Sequence, residues 1–218
     1  MATQEQFNFW IKTFGTFAIL IPFFVGIINY AQLKKQYRFF LLLLLTGFVV
    51  DVTGFLQYLG WVSMSEYQNN LKYAVYALLE VMFFLWFLCK MENQKQSIRA
   101  IIKVLFVLVP LLWLLCYFGS YSTFDKSPIF DCVSASLIAF IAAFSLLNLA
   151  EAGGDFNSSY QFWFLCAIFL YFFCSNFIFG LLATQFGPRF WVIQCMVCIV
   201  AYFVFTIGFL TLRKSLKQ

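Results

Sequence analysis

The chain has 218 residues, 63% hydrophobic and 11% charged, with a net charge of +5 and no histidine; its mean hydropathy is +0.87. A soluble domain carries about 25% charged residues, so this chain needs lipid as its solvent, and the expected fold is an all-α polytopic membrane bundle. The missing histidine excludes His-ligated haem, most zinc enzymes and Ser-His-Asp hydrolysis.

A helix crosses the hydrocarbon with about 20 apolar residues, and seven runs qualify, at approximately 14–31, 39–62, 71–89, 100–121, 129–150, 160–183 and 189–212. Stretches such as LLLLLTGFVV lack the alternation of a β-barrel strand. The runs take up most of residues 1–218, which read as a single integral membrane domain with short loops. The opening MATQEQFNFWIK has no basic n-region and no small-residue cleavage site follows, so the first run reads as a retained helix. Pro22 and Pro110 are placed to kink the first and fourth runs.

Basic residues accumulate on the cytoplasmic side of a membrane. With the N-terminus outside and the C-terminus cytoplasmic, Lys34, Lys35, Arg38, Lys90, Lys95, Arg99, Lys103, Arg213, Lys214 and Lys217 lie inside, against Lys12, Lys72, Lys126 and Arg189 outside. The positive charge thus reports topology, and its scatter over three short segments argues against a nucleic-acid surface. The loop EAGGDFNSS is placed inside yet carries no cation, and Asn157-Ser158-Ser159 reads there as a polar turn. Trp10, Trp61 and Trp191 mark the outer ends of runs and Trp86 and Trp163 the inner ones, an aromatic belt, with Trp113 as packing. The expected location is a cell membrane, the inner membrane in a bacterium.

Two acids interrupt apolar runs: Asp51 in GFVVDVTGFLQYLG and Glu80 in VYALLEVMFFLWF. Counted from the loop SMSEYQNN, with its midpoint near residue 65.5, they are equidistant, which predicts one shared depth near the bilayer midplane. Helical spacing groups Asp51 with Gly47, Gly54 and Tyr58, a small-residue stripe for close helix approach. It groups Glu80 with Tyr73, Tyr76 and Ala77. A charge at the bilayer centre costs about 2.5–3.5 kcal/mol on insertion scales, and every Lys and Arg falls near a run's end or in a loop. Three outcomes remain: the acids stay protonated, they share a proton, or a cation from outside binds between them. A purely structural role, a protonated acid hydrogen-bonded to Tyr76 or Tyr58, is the competing reading.

Further polar groups lie in the later runs. The fifth carries Asp131, Ser134, Ser145 and Asn148; the sixth Ser175, Asn176 and Gly180; the seventh Gln194, Cys198 and Tyr202 at i, i+4, i+8. Asp131, Asn176 and Gln194 share the outer half with Gln57, consistent with a cavity opening outward over Asp51 and Glu80, while each alone suits interhelical glue. The expected ligand- or ion-binding set is Asp51, Glu80, Tyr76, Tyr58, Tyr73, Asp131, Asn176 and Gln194. The seven cysteines fall in or near the runs and form no disulfide framework; Cys195-x-x-Cys198 has no further ligand pair and reads as packing. No cofactor is expected. A retinal pigment needs a lysine deep in the last run, which has none before Lys214. Internal repeats of the three-plus-one-plus-three kind are not visible: Pro22 has no counterpart in the fifth run, and neither acid has one in the sixth or seventh.

Asp51, KYAVYALLE around Glu80, QFWFLCAIFLYF and RFWVIQ, spread over about three-quarters of the chain, resemble a family of small, largely uncharacterised bacterial seven-helix membrane proteins. The resemblance implies the fold, no established activity and an association with signalling. SNFIFG resembles a segment of the lysoplasmalogenases, membrane enzymes that use intramembrane aspartates. Here Asn176 stands at the corresponding position, and the Gly-Asp pair expected in an early span is missing.

The leading expectation is a non-enzymatic sensor or signalling module that binds a proton, a cation or a small ligand from the outer side. Its partners would be the lipid bilayer, that small cationic ligand, and a cytoplasmic or membrane signalling partner at the basic loops. A proton- or cation-coupled transporter of a small solute ranks second, and an intramembrane lipid hydrolase, with the acids as acid and base around a water, ranks last.

Overall fold

The computed structural model describes residues 2–91, 94–118, 128–153, 158–182 and 187–215. Among them are α1 (Ala2–Ala18), α2 (Leu20–Ile27), α3 (Lys35–Tyr58), α4 (Glu66–Cys89), α5 (Gln96–Phe118), α6 (Pro128–Glu151), α7 (Tyr160–Leu182) and α8 (Gly187–Ser215), with a 3-10 turn at Tyr30–Gln32. No strand occurs among the described residues. Seven segments are long and apolar enough to cross a membrane: Gln6–Ile27, which joins α1 to α2, and one in each of α3 to α8. They are the candidate spans of a multi-pass membrane protein. Lys126, Asn157, Lys217 and the side chains of Arg189 and Trp191 lie outside the described residues.

Several helices begin earlier than the apolar runs imply. The first candidate span starts at Gln6 rather than residue 14, because Phe7, Phe9, Trp10 and Ile11 continue the apolar surface on the far side of Lys12. In α4 the signal is a capping box. The Gln68 N–H donates to Ser65 Oγ at 3.2 Å, and Gln68 Oε1 accepts from the Ser65 N–H at 3.1 Å. Two otherwise orphaned donors are satisfied, so the helix starts at Glu66 within the polar stretch.

The first span is broken between Ala18 and Leu20. Pro22 explains the break: it has no N–H for the Ala18 carbonyl, and its ring crowds that group. The next bond, Phe23 N–H to the Ile19 carbonyl, is stretched to 3.4 Å. Pro110, in contrast, lies inside an uninterrupted α5.

The helices close a ring. Each of α3 to α8 packs on its predecessor, and α8 returns to touch α1 and α2; α4, which carries Glu80, also touches α6 across the ring. One half of this bundle is filled by aromatic rings. Tyr37, Phe40, Phe84, Phe87, Phe164, Phe205 and Phe209 are buried, with Phe40 and Phe205 centred 4.8 Å apart and Phe164 and Phe209 5.0 Å apart. Between lipid-embedded helices such van der Waals packing, rather than hydrophobic burial, drives association. Polar contacts tie the same end together. Arg38 donates to the carbonyls of Leu33 and Ala31 at 2.8 and 2.9 Å, and Gln94 Nε2 donates to Ser145 Oγ at 2.8 Å.

Candidate functional site

The other half of the bundle is hollow, and the reason begins on α3. Gly47, Asp51 and Gly54 recur at i, i+4, i+7 and so share one helix face. The facing helix fills the gaps the glycines leave. A Cβ at Gly47 would stand 2.7 Å from the Tyr76 hydroxyl, and one at Gly54 would collide with the Tyr73 hydroxyl. Two tyrosines of α4 are thereby seated on either side of the Asp51 level, and α3 and α4 lie close without a rigid plug between them. On α5, Trp113 fixes the next seam, its indole N–H donating to the Ala74 carbonyl of α4 at 2.9 Å.

Asp51 and Glu80 do not share one depth, contrary to the expectation from the loop midpoint. Because the capping box starts α4 at Glu66, the hairpin turns about residue 62, between Tyr58 and Glu66. Asp51 is about two turns from the end of α3, and Glu80 is about four turns into α4. Glu80 therefore lies roughly 10 Å deeper.

Both acids line one cavity of about 490 Å³, well within the roughly 300–1,000 Å³ of small-molecule sites. Every candidate span contributes to its wall: Lys12 from α1, Asp51 from α3, Glu80 from α4, Tyr117 from α5, Asp131 from α6, Tyr171 from α7 and Gln194 from α8. The rim reaches Tyr58, the last residue of α3, which is 55% exposed. The floor is formed near mid-span by Glu80, Tyr171 and Tyr202, and beneath it begin Phe40, Phe84 and Phe205. Asp51 and Glu80 keep partial accessibility although each sits well inside its helix.

Glu80 stands among tyrosines. The Tyr76 hydroxyl lies 3.5 Å from Oε1, the outer limit of a hydrogen bond, and Tyr171 lines the cavity with it. Elsewhere on the wall, Gln194 Nε2 donates to Ser175 Oγ at 3.0 Å, which joins α7 to α8.

The expectation that no cation approaches the acids needs correction. Lys12 lines the cavity, with its ammonium 4.1 Å from the centre of the Tyr58 ring. Lys72 donates to Thr53 Oγ1 at 3.1 Å and lies over the Tyr73 ring, near enough for its charge to act on Asp51. Both lysines belong to the first two turns of their spans, and their four-carbon stems carry the charge inward. They stand at the level of Asp51 or outside it. Asp51, Asp131 and Lys12 line the same cavity as Glu80.

Compared with protein-family models, with curated proteins and with solved structures, the chain matches none. The site therefore has to be read from its own chemistry.

Of the residues singled out in the sequence, Asp51, Glu80, Tyr58, Tyr73, Tyr76, Asp131 and Gln194 line this cavity. Asn176 does not; its carbonyl accepts a weak bond from Cys132 Sγ at 3.7 Å on the α6–α7 seam. Ser134 and Ser145 are turned back onto their own helix, donating to the carbonyls of Phe130 and Ile141, and Ser145 also accepts from Gln94; neither forms part of the wall. Lys12, Tyr117 and Tyr171 were missed as wall residues. The available signal was the hydroxyl itself: in the phenylalanine-rich run LCAIFLYFFCSNF, a tyrosine at mid-span needs a polar neighbour.

Proposed function

We propose that this protein is a non-enzymatic seven-span sensor, N-terminus outside and C-terminus cytoplasmic, whose outward-facing cavity binds a small cation or cationic ligand. The observation that carries this reading is the cavity of about 490 Å³ in which carboxyls and tyrosines from different helices converge. Acidic groups inside a low-dielectric wall attract positive charge, and tyrosine faces favour a cation with an organic surface. An inorganic metal ion fits less well, since no group of three metal-ligating side chains gathers among the described residues.

Two features support sensing over transport. Below Glu80 the bundle is packed with buried phenylalanines, and the void there shrinks to about 20 Å³, which gives the cavity a floor. Each candidate span supplies wall, so occupancy biases the whole ring rather than one gate. The signal would leave through a partner at the opposite end, where Arg38, Lys95 and Arg99 lie. A lipid hydrolase is disfavoured because carboxyls about two turns apart in depth do not flank one water.

The test is a thermal-shift series on purified protein with sodium, potassium, tetramethylammonium and an alkylamine. A ligand at about 100 times its Kd stabilises by about 2.7 kcal/mol, and Glu80→Gln abolishes that gain. If every cation leaves wild type and Glu80→Gln unchanged, the binding reading is lost. Amine accumulation in proteoliposomes under a pH gradient would replace sensing with transport.

A further inference from the structure

The geometry points to an elongated zwitterion, an ω-amino acid in outline, as the ligand of this cavity, with its ammonium at Glu80 and its carboxylate at Lys12. This deepens the cation-binding reading and rests on it.

Four charged side chains line the cavity, Lys12, Asp51, Glu80 and Asp131, and two of them are already answered. Asp131 interacts within the protein. Asp51 shares its level with Lys72, which donates to Thr53 on the same helix as Asp51. One charge of each sign is left over: among the described residues, neither Glu80 nor Lys12 enters an ion pair. Glu80 has the Tyr76 hydroxyl at 3.5 Å. Lys12 has the ring of Tyr58, its centre 4.1 Å away, which covers one side of the ammonium and leaves N–H donors for an anion.

These two charges are set at opposite ends of the cavity. Ile19 of the first span and the Tyr76 hydroxyl both meet the notch at Gly47, 3.2 and 2.7 Å from where a Cβ would stand. The same hydroxyl faces Glu80, so the carboxyl lies close to that level. Lys12 is about two turns outward from Ile19, about 10 Å toward the mouth. Between them α1 offers Gly15 and Thr16, too short to fill the gap, and Tyr76 and Tyr202 supply ring faces that cover methylene groups. A compact cation would occupy the floor and leave Lys12 unanswered. A dication would set its second charge against Lys12 and Lys72. A chain with an ammonium at one end and a carboxylate at the other meets both unpaired groups, and the two lysines offset the repulsion from Asp51.

The experiment is a titration of the purified chain in detergent, read by calorimetry, with hexylamine, 1,6-diaminohexane, 6-aminohexanoic acid and its isomer 2-aminohexanoic acid. A second charge-assisted contact predicts that 6-aminohexanoic acid binds about ten- to a hundredfold tighter than hexylamine. The diamine, similar in length but opposite in its end charge, binds no tighter than hexylamine. The 2-amino isomer, whose charges are adjacent, binds more weakly than the 6-amino acid. Lys12→Gln removes the advantage of 6-aminohexanoic acid over hexylamine, and Lys12→Arg retains it. If 6-aminohexanoic acid gains nothing over hexylamine, or if the diamine or the 2-amino isomer matches it, the zwitterion assignment is overturned while cation binding stands. If none of the four binds, both readings fall. The wild-type series decides the matter even where a variant does not fold.

Discussion

The two halves of this bundle are built from the same helices and obey opposite packing rules. Around Phe40, Phe164 and Phe209 the rings interlock and side chains are buried. Around Asp51 and Glu80 the same helices hold tyrosines, acids and a void of about 490 Å³. Helix association in lipid relies on contact, so the filled half supplies the stability that the hollow half forgoes. A void of this size is tolerated because its floor is a dense aromatic layer.

The comparison predicts a sharp asymmetry in truncation. Phe164→Ala removes a buried ring that meets Tyr37, Phe40, Phe205 and Phe209 at once. A loss of about 3–5 kcal/mol is expected, seen as failure to purify folded protein or a collapsed unfolding midpoint in detergent. Tyr171→Phe, at the cavity floor, removes only a hydroxyl and keeps the ring, so stability changes by less than about 1.5 kcal/mol. Its effect appears in ligand binding instead. Equal destabilisation by the two variants would mean that the halves do not differ as described.

A smaller effect tests how the void is kept open. Gly47→Ala sets a methyl 2.7 Å from the Tyr76 hydroxyl, and such overpacking costs about 1–3 kcal/mol. Gly180→Ala, which meets nothing within 4 Å, is neutral or slightly stabilising, since alanine is the better helix former. Combining Gly47→Ala with Tyr76→Phe removes the colliding oxygen, so the double variant is more stable than the sum of the singles implies. Additive losses would place Tyr76 elsewhere.

The same contrast explains what could be read from the sequence. Hydropathy located seven apolar stretches because each is a property of one segment. Asp51 and Glu80 stood out because a charge in such a run is costly. Their relative depth was misread, because the hairpin's turning point depends on whether Ser65 and Gln68 form a capping box, a local bond that hydropathy does not register. Lys12 was assigned to the flank by its charge, although an amphipathic stem lets a lysine belong to a span and still reach a polar cavity. Tyr171 was invisible among phenylalanines, since the two differ by one oxygen whose meaning comes from Glu80 on another helix.

The polar ties at the filled end rank next. Gln94 is buried and gives its amide to Ser145 Oγ at 2.8 Å. Ser145→Ala removes that acceptor and leaves a donor inside the protein, a loss of about 1–3 kcal/mol. Ser145→Thr keeps the hydroxyl and costs less, which separates the bond from the space the side chain fills.

The smallest effect is expected from the contact that looks strongest on geometry. Lys95 Nζ and Glu151 Oε2 are 3.0 Å apart, an ion pair joining the chain before α5 to the end of α6. Their side chains are 58% and 67% exposed, so water competes for both charges and holding two long side chains together costs entropy. Exposed pairs of this kind contribute about 0–1 kcal/mol. Lys95→Ala should therefore shift the unfolding midpoint less than Ser145→Ala does, although the two bonds anchor neighbouring positions of one loop, and added salt should erase what shift there is. A larger, salt-resistant loss would mean that Lys95 is shielded from water, and that this end of the bundle is covered in a way its exposed charges do not suggest.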